Sequence, residues 1–123
     1  MQNSELYRRG FVVPLSEFAE KALSNNAVEE STTVQFYELS NDKVFEGLWE
    51  KGLFESINRH LGTVIDDYEE EKVEAQSLPS LRKIIKEFLG SAKIDFLERE
   101  AVSELLRLCD IAIENNRSVF FIL

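Results

Sequence analysis

Within nine residues, 66–74, the chain reads DDYEEEKVE: six carboxylates and one lysine, carrying −5 of a formal net charge of −9. Carboxylates at this density suit three kinds of chemistry. Two of them can act as an acid and base pair, an ordered set of oxygens can hold a divalent cation, or a continuous negative face can draw in and dock a cationic partner. The first needs two carboxyls in a partly apolar cleft that raises one pKa, which an open run of acids does not offer. The second needs acids alternating with asparagines, a glycine for the turn and a closing glutamate, an order the run lacks. The third needs concentrated charge, and here the charge is concentrated.

The other residues capable of chemistry are few. One histidine, His60, and one cysteine, Cys109, cannot build a structural zinc site between them. No nucleophile-elbow pattern accompanies His60 for Ser-His-Asp catalysis, and its place before Gly62 suits a cationic cap on a helix end. Cys109 lies among apolar helical positions and reads as a small buried hydrophobe. The glycines at 10, 47, 52, 62 and 90 are scattered, and none precedes the Lys-Ser or Lys-Thr pair of a phosphate-binding loop. We therefore expect no catalytic residues, no metal and no cofactor, and a binding protein rather than an enzyme.

The acidic run must be positioned by an element, and its period favours a helix. At 100° per residue Asp66, Asp67, Glu70, Glu71 and Glu74 share one side, while Ile65, Tyr68, Lys72 and Ala75 share the other. A strand would divide the acids between two faces and turn one set inward against a desolvation cost. Glu69 falls near the apolar boundary and needs solvent or a basic partner there. The predicted partner contacts are Asp66, Asp67, Glu70, Glu71 and Glu74, with Tyr68 at their edge as an aromatic anchor.

Around this run the chain predicts helices alternating with strands. Residues 6–14 form an extended segment ending at Pro14, and a helix follows with Leu15, Phe18, Ala19, Ala22 and Leu23 as its apolar stripe, closing at Asn25 and Asn26. Residues 32–39, TTVQFYEL, are β-branched and aromatic and read as a strand. Ser40 to Asp42 cap a helix with Val44, Phe45, Leu48 and Trp49 on its apolar side. Gly52 divides it from a further turn through Phe54, Ile57 and Leu61, closed by Gly62 in the left-handed region. After an interruption at residues 77–79, Leu81, Ile84, Ile85, Phe88 and Leu89 mark a helix ending at Gly90. The longest helix runs over residues 95–115, with Asp95 and Glu98 at capping-box spacing and Leu97, Ala101, Leu105, Leu108 and Ala112 as its apolar repeat. The chain then reads SVFFIL, an apolar run that calls for a central strand covered on both faces. The expected fold is a single α/β domain over residues 1–123, with a helix-rich α+β fold as the alternative: about five helices on a small sheet whose central strand is the C-terminal segment.

Composition narrows the partners. A pI near 4.6 argues against direct contact with nucleic acid or an anionic membrane surface, and favours a basic protein. No segment approaches the roughly 18 apolar residues of a membrane span, and a single cysteine suits a reducing compartment, so a cytoplasmic protein is expected.

The small acidic chain, its segment GTVIDDYEEEKV at residues 62–73 and its ending LLRLCDIAIENNRSVFFIL at residues 105–123 together resemble the immunity proteins of bacterial polymorphic and contact-dependent growth inhibition toxin systems. The resemblance implies a cytoplasmic protein that binds a cognate toxin domain, often a nuclease with a basic active site, and blocks it without catalysis. It implies the acidic cluster and Tyr68 as contacts, and a monomer when free. The alternative is an acidic, dimeric chaperone of a secreted effector.

Overall fold

The apolar run that begins at Val119 needs cover on both faces, and the fold supplies it. In the computed structural model, which describes residues 9–24, 34–66, 70–91 and 93–123, Val119–Ile122 form a strand, β4, set between β1 (Gly10–Pro14) and β3 (Glu70–Val73). Strand β2 (Val34–Glu38) lies beyond β1, giving the order β2-β1-β4-β3 with every neighbouring pair antiparallel. Phe11 stands opposite both Phe121 and Tyr37, and Val12 opposite both Phe120 and Phe36. Because side chains alternate along a strand, this register sends Phe11, Val13, Val73, Val119 and Phe121 to one face and Val12, Phe36, Phe120 and Ile122 to the other.

Four helices cover the first face: α2 (Asp42–Glu50), α3 (Leu53–Leu61), α4 (Leu78–Ser91) and α5 (Phe96–Asn115). Helix α5 is the spine of that layer, burying Ala101, Val102, Leu105, Leu108, Cys109 and Ala112. The Asp95 carboxylate accepts from the Glu98 N–H at 2.8 Å while Glu98 accepts from the Asp95 N–H at 3.0 Å, the reciprocal cap expected from the spacing. The second face is covered by α1 (Glu17–Ser24), whose Leu23 packs with Val12 and Phe120. Glu20 ties α1 to the start of β4, accepting from the Ser118 hydroxyl at 3.2 Å. The architecture is α/β, with five helices and a four-stranded sheet among the described residues.

Several expectations are corrected. The acidic stretch is not a helix: residues 70–73 form the edge strand β3, and residues 67–69 lie outside the described residues. The reason is that β3 pairs on one side alone, so its acids can reach solvent from either face while Val73 is buried. On the face opposite Val73, the Lys72 ammonium lies 5.9 Å above the Phe120 ring, covering it with charge turned outward. Phe18, placed on the apolar stripe of α1, is 67% exposed, because Ala19, Ala22 and Leu23 suffice to seat so short a helix. Leu97 is likewise exposed in the first turn of α5. Gly90 lies inside α4 rather than ending it. The end of α1 at Asn25 and Asn26 and the strand residues 6–8 lie outside the described residues. Among the described residues no helix is long and apolar enough to cross a membrane.

Candidate functional site

Two glycines in the left-handed region shape one corner of the molecule. Gly52, at φ 88°, turns the chain sharply from α2 into α3, and Gly62, at φ 71°, ends α3 with its N–H on the Asn58 carbonyl at 2.9 Å. The turn at Gly52 stacks the end of α2 on the start of α3, so Trp49 meets Phe54 at 5.5 Å and Phe45 at 6.0 Å between ring centroids. Trp49 is held by these rings yet remains 39% exposed.

Residues 62–66 form the opposite wall, and Asn58 builds it. Its Oδ1 accepts from the Thr63 hydroxyl at 2.7 Å and from the Ile65 N–H at 2.8 Å, and its amide donates to the Ile65 carbonyl at 3.0 Å. Ile65 is thereby drawn into the core while Val64 stays exposed. A second tether comes from β3, where Glu71 accepts the Val64 N–H at 3.1 Å.

Between the walls lies a groove of about 600 Å³ lined by Trp49, Glu50, Glu55, Asn58, Val64 and Asp66. An adjoining hollow of about 290 Å³ shares Trp49, Glu50 and Asp66 and adds Phe45 and Glu46. Among the described residues the ionisable lining is entirely acidic: Glu46, Glu50, Glu55 and Asp66, with no lysine, arginine or histidine. The nearest basic residue in sequence, Lys51, is turned away and ion-paired with the buried Glu98. What remains is an aromatic floor with a negative rim, suited to docking a cation with an apolar stem.

The predicted contact residues are dispersed around this corner. Asp66 reaches the groove. Glu71 is spent on the Val64 tether, and Glu70 lies on the other face of β3, opposite Ile122. Much of Glu70 faces solvent, but protein atoms crowd its carboxyl and burial raises its pKa. Glu74 is exposed beside the 3-10 turn Ala75–Ser77, and Asp67 and Tyr68 lie outside the described residues. Sequence reading missed Glu46, Trp49, Glu50 and Glu55. The spacing of Glu46, Trp49 and Glu50, at i, i+3 and i+4, was the available signal, since it puts a tryptophan beside two acids on one helix face. Glu55 comes from the next helix and had no such signal.

The remaining chemical candidates, His60 and Cys109, are each engaged with a backbone carbonyl. His60 Nδ1 donates to the Ser56 carbonyl one turn earlier at 2.8 Å. Cys109 is buried with its thiol on the Leu78 carbonyl at 3.6 Å, and burial, with Asp110 beside it, pushes its pKa up to about 12. Among the described residues no group of three or more His, Cys, Asp or Glu is placed to hold a metal ion. Comparison with protein-family models, with curated proteins and with solved structures finds no match to this chain.

Proposed function

We propose that this chain is a non-enzymatic binding protein that captures a basic protein partner on the face containing the Trp49 groove, and that it neutralises a toxin domain in the manner of the immunity proteins its sequence resembles. The observation that carries this reading is the composition of the groove, where among the described residues four carboxylates and no basic group surround a held but accessible tryptophan. Aromatic residues in recessed, preformed surfaces are the usual anchors of protein interfaces, and an acid rim steers a cationic partner toward them. The wider net charge of −9 adds long-range attraction of the same sign.

The test is to look for a large toxin gene directly upstream and to mix the purified chain with the cationic domain it encodes; absence of such a gene counts against the reading. The expected result is a 1:1 complex that abolishes the toxicity of that domain at equimolar ratio. Reversing Glu46 and Glu50 to Lys should slow association at least about tenfold at low salt, with the difference shrinking as salt rises. A stable homodimer that binds a secreted effector without silencing it would favour the chaperone instead.

A further inference from the structure

We infer that the anchor received by the groove is an arginine side chain of the protein partner, its guanidinium laid on the exposed face of Trp49 and its N–H groups turned to the carboxylates of Glu46 and Glu50. This rests on the partner-binding reading and names the chemistry of its central contact.

The molecule contains an internal template for the arrangement. The Arg9 guanidinium sits 4.0 Å from the centroid of Phe45 while its Nη1 approaches the Asp42 carboxylate at 3.3 Å. An arginine stacked on a ring and paired with an acid one turn or so along α2 is thus already accommodated by this aromatic cluster. Trp49 lies four residues after Phe45 in the same helix and contacts it directly, Glu46 precedes it by three residues as Asp42 precedes Phe45, and Glu50 adds a second acid beside it. Glu46, Glu50 and Glu55 have no ion-pair partner among the described residues, so the second position offers a ring and acids without an internal cation on them.

Arginine fits this chemistry better than lysine. Its planar, weakly hydrated guanidinium stacks on an indole and presents several donors in a fixed fork, whereas an ammonium is a compact, strongly hydrated point charge. The groove is also formed before any partner arrives. Phe45 and Phe54 hold the indole, and Asn58 and Glu71 fix the facing loop, so binding orders few additional groups.

Because Trp49 is the chain's one tryptophan, its fluorescence and single indole N–H resonance report the groove directly. The probes are three blocked tripeptides, glycyl-X-glycine with X as arginine, lysine or citrulline, the last an uncharged near-isostere of arginine. The arginine peptide should shift both signals saturably at millimolar concentration, the lysine peptide should bind about tenfold more weakly, and citrulline should give no saturation. Glu50→Gln and Glu46→Gln, both on the exposed helix surface, should each weaken the arginine response several-fold without altering the fold. An arginine response that does not saturate, or one that citrulline reproduces, overturns the inference. If the basic partner binds the wild-type chain and Trp49→Leu, shown to be folded, with equal affinity, the arginine anchor fails while partner binding stands. If no basic partner binds but the arginine peptide still saturates, the functional reading fails and the groove's chemistry survives.

Discussion

Gly47 in α2 faces the carboxylate of Glu98 in α5 so closely that a β-carbon at position 47 would overlap Glu98 Oε2. Glu98 is nearly fully buried and cannot swing aside, because the same carboxylate receives Lys51 and the Asp95 N–H. Within a helix, alanine for glycine ordinarily gains about 1 kcal/mol. Here displacing the buried Glu98 carboxylate from its partners outweighs that gain, and Gly47→Ala should destabilise the protein by about 1–3 kcal/mol. Urea unfolding reads this as a lower midpoint. In a Glu98→Ala background the clash is gone, so the same substitution should become neutral or stabilising; additive effects in the double variant would count against the contact.

Asn58 satisfies three polar groups of the loop that walls the groove. Asn58→Ala should cost about 1–3 kcal/mol, since the Ile65 N–H and carbonyl lose their partner where burial limits replacement by water. Trp49 emission should move to longer wavelength as the facing wall loosens. Unchanged stability with unchanged emission would show that the loop holds itself.

Glu70 offers a pH test. Its pKa is raised in the folded protein, so its contribution to stability is complete below the unfolded pKa and is lost as pH rises through the folded one. At pH 7 the carboxylate is therefore a small burden. Glu70→Gln should raise stability at pH 7 by no more than about 0.5 kcal/mol, given solvent screening, and the gain should vanish below about pH 4. A loss of stability at pH 7 would contradict the burial of this carboxyl.

Cys109, with its pKa near 12, has little thiolate at pH 8. Alkylation by iodoacetamide in native buffer should be at least about a thousandfold slower than in denaturing urea. Rapid modification of the folded chain would mean that α4 and α5 part readily.

What could be read from the sequence was what each segment decides within itself. The capping box of Asp95 and Glu98, the left-handed stop at Gly62 and the apolar stripe of α5 from Ala101 to Ala112 are local, and the structure has them as expected. The inner position of β4 was also legible, because an unbroken apolar strand leaves little choice. The acidic run was misread because its helical period is real but its partner was not visible: pairing with Phe120 and Phe121 makes residues 70–73 a strand, and an edge position tolerates its charges. The groove escaped for a similar reason. Half of its rim follows from Glu46, Trp49 and Glu50 in one helix, but the wall opposite exists through side-chain hydrogen bonds from Asn58 and Glu71 to an irregular loop, which no periodic pattern announces.

The place of β4 in the sheet also sets the order in which the sheet can be assembled during synthesis. Strands β1 and β3 do not pair with each other; each pairs with β4. A nascent chain that has not yet released residues 119–122 from the ribosome can form the β1–β2 pair and its helices, but β3 has no neighbour to join. Closing the sheet therefore waits on these residues, and until they emerge Phe11 and Val12 lack the strand that covers one of their sides.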